Sequence, residues 1–221
     1  MTIRERPIMF SGPQVRAILD CRMTQTRRVV RGAPTGPDSY FLGVYKGVWG
    51  IHEHLDAPAA FRARCPYGTR GDRLWVREAW SVDRFEPCEP HERDWQDLHS
   101  PVVRYAADDA TRRVEGNRQA GHIYHGPVST PRPLPCMPRW LSRITLEITD
   151  LRVERLQTIT EDDARAEGCL PPVEADGSVT CGRRKTAFRE QWDAALAKKG
   201  HGWEVNPWVW VVEFRVLEVA A

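Results

Sequence analysis

Residues 142–156, SRITLEITDLRVERL, set the tightest constraint on how this chain folds. Ile144, Leu146 and Ile148 alternate with Thr145, Glu147 and Thr149. Successive side chains of an extended chain point to opposite faces, so this pattern predicts a strand with one covered face and one polar face. The closing NPWVWVVEFRVL, residues 206–217, reads as a second long strand, apolar on one face and mixed on the other. It and the short apolar strand near RPIMF are apolar enough to be central in a sheet.

Helix signals are few. Ser11 can cap a helix with Pro13 in its first turn, and Val15, Ile18 and Leu19 form its buried stripe before it stops near Cys21 or Arg22. In TITEDDARAEGC, residues 158–169, Thr160 can cap, acidic residues crowd the first turn and Gly168 closes the end. A third helix over 184–198 shows Phe188, Trp192, Ala195 and Leu196 on one face and ends at Gly200. Few helices among many separated strands predict an α+β fold with a strongly curved sheet or small barrel.

The 221 residues read as a single domain, 1–221, with insertions at about 32–66 and 81–138. Within the first, Lys46-Gly47 reads as a hairpin turn between aromatic strands. The second is charged and prolyl, has one strand signal at VVRYAA, and is expected to decorate the domain. A chain of this length buries roughly two-thirds of its unfolded surface without staples, and six scattered cysteines suit reduced thiols. No signal-peptide core or run of membrane-span length is present in the sequence, which predicts a cytoplasmic protein with no membrane partner.

Net charge is only +2, yet 28 of the 32 basic residues are arginine. Codon bias alone can produce that excess; arginine is also the side chain that pairs with phosphates and stacks on bases. Residues 1–31 hold seven arginines against Glu5 and Asp20, so positive charge concentrates there. Within CRMTQTRRVV, residues 21–30, Thr24, Thr26 and Arg28 share one strand face and Met23, Gln25 and Arg27 the other. Arg22, Arg27 and Arg28 are candidate phosphate ligands, and Trp75 with Arg77 a candidate base-stacking wall.

His52 and His54, His122 and His125, and Cys88 with His91 have ligand-like spacing, but none has a second half. No metal and no cofactor are expected. Phosphate-binding glycine loops, nucleophile elbows and paired CxxC motifs are absent from the sequence.

Taken together, AILDCRMTQTRRVV, GDRLWVRE, ITLEITDLRVERLQTITEDDARAEG, FREQWDA and NPWVWVVEF resemble the ASCH domain of the PUA-like superfamily, in its larger form encoded by phages and prophages. The resemblance implies a small β-barrel with flanking helices and a cleft for nucleic acid or a nucleobase, in a bacterial host cell. In amidohydrolase-like relatives, a lysine and a threonine after the first helix work with a glutamate from a short later helix. Those positions fall on Met23, Thr26 and Glu167, so the chain departs from the pattern at the lysine.

The first expectation is therefore binding of single-stranded RNA or DNA, or of a modified nucleoside, with Thr26 and Glu167 giving polar recognition. A second is hydrolysis of an acetylcytidine-type nucleoside or of RNA, with Glu167 activating water and Thr26 positioning substrate. A third is a phage interaction module whose 81–138 insertion meets a protein partner.

Overall fold

The computed structural model describes residues 3–34, 41–45, 48–52, 61–87, 99–114, 130–171 and 183–220. They form an α+β fold, rich in sheet and poor in helix. The main sheet joins β1 (Glu5–Met9), β6 (Arg73–Arg77), β10 (Ile144–Arg155), β11 (Trp208–Val219) and β2 (Gln25–Val29), in the order β1-β6-β10-β11-β2. Two three-stranded sheets accompany it: β3 (Phe41–Tyr45), β4 (Val48–His52) and β5 (Phe61–Ala63); and β7 (Trp80–Pro87), β8 (His99–Tyr105) and β9 (Thr111–Arg113). Among the described residues no closed barrel is found, and the main sheet keeps β1 and β2 as edges. Pro7 lies within β1, where a missing N–H is tolerated only at an edge.

The chain clusters into two compact units. The first comprises Met1–Arg6, Ala17–Arg73 and Leu146–Val216; the second comprises Pro7–Arg16, Leu74–Thr145 and Leu217–Ala221.

In the first unit, β11 is buried on both faces from Trp208 to Val212. Val209 and Val211 pack with Leu156, Ile159, Phe188, Trp192 and Trp203, bringing the helices α2 (Glu161–Ala166) and α3 (Arg184–Leu196) onto that face. The stripe on α3 is Phe188, Trp192 and Leu196, four residues apart; Ala195, expected with them, is exposed. Thr160 caps α2 in a full capping box with Asp163. At its other end Gly168 takes φ +80°, and the Cys169 N–H bonds the Ala164 carbonyl at 3.1 Å. β3 and β4 pair with Tyr45 opposite Val48, as a two-residue connection requires; residues 46 and 47 lie outside the described residues.

The turn before β6 is organised by Asp72. Its carboxylate accepts the Arg4 N–H at 3.0 Å, the Thr69 N–H at 3.0 Å and the Thr69 hydroxyl at 3.3 Å. Burial pushes the Asp72 pKa up, but these bonds outweigh it and hold the carboxylate below its usual range. Gly68 has φ +119°, and a Cβ built there would lie 2.6 Å from Asp72 Oδ2. Gly68→Ala is therefore expected to cost about 1–3 kcal/mol, from left-handed strain together with displacement of Asp72. A urea denaturation midpoint equal to wild type would contradict this.

In the second unit, Trp80, Val82, Val103, Tyr105, Val114, Met137 and Leu141 form a core cluster. Val82, Val103, Tyr105, Val114 and Met137 of the segment expected as decoration thus supply core. Its periodicity is interrupted by a register shift between Val82 and Arg84 and its apolar residues are widely spaced, so the pattern is weak in sequence. The most demanding polar group here is Arg143, 6% exposed along its side chain. It donates to Glu78 Oε1 and Oε2, each at 2.9 Å, and to Asp108 Oδ1 and Oδ2 at 2.8 and 2.9 Å. Its guanidinium also lies 4.2 Å from the Tyr105 ring centroid.

Candidate functional site

The site begins where α1 (Gly12–Leu19) hands the chain to β2. The Arg22 N–H bonds the Ala17 carbonyl at 2.8 Å and the Cys21 N–H bonds the Ile18 carbonyl at 3.0 Å. With Cys21 at φ 56°, this closes a Schellman turn. Met23 emerges buried, against the turn that ends α2. A Cβ on Gly168 would lie 2.9 Å from Ala17 Cβ and 3.2 Å from Met23 Cβ, so glycine permits the approach as well as the backbone angle. Met23 and Glu167 form an antiparallel bridge, and the Thr24 N–H bonds the Ala166 carbonyl at 2.8 Å. The end of α2 therefore lies along the free rim of β2.

Pairing with β11 sorts the side chains. Arg27 stands opposite Val211 and Val29 opposite Val209, on the face covered by α2 and α3; Thr26 stands opposite Val212 and Arg28 opposite Trp210, on the other face. Glu167, at the rim, accepts from Arg27 Nη1 at 3.1 Å. It also lies within electrostatic reach of Arg28. Among the described residues no hydrogen bond joins Thr26 to Glu167; Thr26 is 1% and Glu167 9% exposed. The structure thus brings β2 and Glu167 together but places the Thr26 side chain on the face opposite Arg27.

Arg27 is the centre of an internal network. Its side chain is fully buried and meets Glu154 at 3.3 Å and Asp163 at 3.2 Å as well as Glu167. Arg152 completes the cluster through Glu154 at 2.6 Å, Asp163 at 3.1 Å, Gln25 at 3.1 Å and Glu213. Sequence reasoning missed Arg152, Glu154 and Asp163. The available signals were the alternation of Arg152 and Glu154 on β10 and the capping role of Asp163.

Burial pushes the Glu167 pKa up to about 7, with Arg27 and Arg28 pulling against it. For Arg28 the direction is downward, through burial opposed by Tyr67 and Glu167. A carboxyl near neutrality both donates and accepts hydrogen bonds across the physiological range. The folded state holds this proton where an unfolded chain has released it, so its contribution to stability is full below about pH 4.5 and lost as pH rises through 7. Relative to Glu167→Gln, the wild type is expected to lose on the order of 2 kcal/mol between pH 5 and pH 7.5. Denaturation of both proteins across that range checks it, and a constant difference would mean Glu167 is ionised throughout.

The remaining sequence candidates are dispersed. Arg22 is exposed and pairs with Asp20 at 2.7 Å. In the second unit, Trp75 is 8% exposed, and Arg77 covers its ring at 4.6 Å, so the pair packs internally. Lys185 donates to the Gln157 carbonyl at 3.0 Å. Lys46, His54, Cys88, His91, His122 and His125 lie outside the described residues. Among the described residues, no group of three or more His, Cys, Asp or Glu is placed to hold a metal, and no helix is long and apolar enough to cross a membrane.

No family model, curated protein or solved structure matches this chain.

Proposed function

We propose that the chain is an ASCH-like module that binds single-stranded nucleic acid or a modified nucleobase along the β2 rim. The observation that carries this reading is Glu167 at the β2 rim, which accepts from Arg27 Nη1 at 3.1 Å, lies within electrostatic reach of Arg28, and is pushed by burial to a pKa of about 7. Such a carboxyl matches the mixed donor and acceptor edge of a base. Because Glu167 is nearly closed to solvent, entry to it requires the α2 end to lift from the rim.

The test is fluorescence anisotropy with labelled single-stranded RNA and DNA at low salt, alongside calorimetry with cytidine and acetylcytidine, from pH 6 to 8. Binding that changes through pH 7 in the wild type and is flat in Glu167→Gln supports the reading. No binding to any of these at low salt overturns it.

The same pKa favours a second reading, in which Glu167 is a general base. Glu167 would take a proton from water as the water oxygen bonds to the acetyl carbon of an acetylated cytosine; the C–N bond then breaks and the amine leaves with a proton. Met23, 1% exposed, supplies no ionisable group where amidohydrolase-like relatives have lysine. Release of acetate by Met23→Lys but not by the wild type would show the scaffold retains the chemistry; release by neither would remove the hydrolase reading.

A further inference from the structure

Binding a nucleic acid strand requires cations that face solvent, and the N-terminal arginines are largely committed elsewhere. Arg27 is enclosed by carboxylates, Arg22 is neutralised by Asp20, and Arg16 donates to the Ala107 carbonyl at 2.6 Å. The turn organised by Asp72 is different. Residues 3–6 and 61–73 contain Arg4, Arg6, Arg62, Arg64, Arg70 and Arg73, against Glu5 and Asp72 alone. Asp72 is buried, and its oxygens are taken by Arg4, Thr69 and the turn itself.

Of the six arginines, Arg6 is half-buried and the other five are exposed. Arg6 donates to the Pro66 carbonyl at 3.0 Å, and Arg73 reaches Glu5 only at 4.0 Å. Among the described residues, Arg4, Arg62, Arg64 and Arg70 form no ion pair. Of the exposed arginines elsewhere, Arg84, Arg104, Arg189 and Arg215 each hold a carboxylate within 2.8 Å, while Arg31 and Arg165 form no ion pair among the described residues.

The frame beneath Arg4, Arg70 and Arg73 is fixed. The Arg73 N–H bonds the Arg4 carbonyl at 2.8 Å, the Gly71 N–H bonds the Ile148 carbonyl and the Ile148 N–H bonds the Asp72 carbonyl, each at 2.9 Å. Uncompensated guanidinium groups on a rigid turn raise local anion concentration and lose little order on binding.

We infer that this arginine face of the first unit is where the phosphate backbone of a single-stranded nucleic acid is held. The inference rests on the nucleic-acid reading and names the surface that would supply its charge. Phosphate contacts position a strand without reading its sequence, so this face sets affinity and salt dependence while base preference lies at Glu167.

The experiment measures anisotropy of a labelled single-stranded oligonucleotide over a salt series, for the wild type, Arg4→Gln/Arg70→Gln/Arg73→Gln, and Arg189→Gln/Arg215→Gln as a control. Each lost phosphate contact lowers the slope of log K against log salt by about 0.7, so the triple variant is expected to lose about 2 in slope and the control none. Thermal melting confirms that each variant folds, and a triple variant that melts early is replaced by Arg70→Gln alone, with an expected loss of about 0.7.

Wild-type binding with an unchanged slope in a folded arginine variant overturns the arginine face and leaves the functional reading standing. No wild-type binding to nucleic acid overturns both. Equal loss in the control variant overturns the assignment, because any surface charge would then serve. Preferential binding of acidic lipid vesicles over oligonucleotides also overturns it.

Discussion

Arg27→Met is expected to lower stability by about 3–5 kcal/mol, because it leaves the buried Glu167 without its cation, whereas Glu154 and Asp163 keep Arg152. A denaturant titration at pH 7.5 reads the loss as a lower midpoint at unchanged slope. Adding Glu167→Gln to Arg27→Met is expected to recover part of it, because one buried acid then disappears with its partner. At pH 5 the single variant should lose less, because Glu167 can hold a proton there. A folded, fully stable Arg27→Met with weakened nucleic-acid binding would instead give Arg27 the phosphate-binding role that its place in CRMTQTRRVV suggests.

The second large effect is expected in the other unit. Arg143→Met strands Glu78, which is 1% exposed. Burial already pushes the Glu78 pKa up, with Arg143 pulling it back down. Removing the guanidinium is expected to cost about 3–5 kcal/mol. Arg143→Lys should recover only a fraction, since one ammonium group cannot make the four fork-like bonds to Glu78 and Asp108. The double variant Arg143→Met/Glu78→Leu should be far more stable than Arg143→Met alone; an equally unstable double would show that lost packing, and not an orphaned acid, sets the cost.

These networks mark where sequence reasoning reached and where it stopped. The first half of the strand at 144–155 was legible because Ile144, Leu146 and Ile148 fill a buried face, while beyond Asp150 the buried positions shift to Val153 and Arg155; α2 was legible because Thr160, Asp163 and Gly168 each perform a local task at a helix end. The neighbourhood of β2 and Glu167 was reached through resemblance, since no local pattern ties residue 27 to residue 167. Burial of Arg27 was not legible at all. A pair of arginines on a threonine-rich strand reads as surface, and three carboxylates distant in sequence decide otherwise. Trp75 and Arg77 sit two apart on one strand face, a spacing that serves a base-stacking wall and an internal cation–π pair equally well.

The rim of β2 carries one more consequence, for behaviour at high concentration. An unprotected sheet edge offers its outward N–H groups to a strand from a neighbouring molecule, the route by which chains add to one another in fibres. Here the end of α2 already covers part of that edge, with the Thr24 N–H given to the Ala166 carbonyl and Met23 bridged to Glu167, and the opposite edge carries Pro7, which has no N–H to give. Loosening α2 would uncover a templating surface, so conditions or variants that release Glu167 should raise turbidity and thioflavin signal before global unfolding begins.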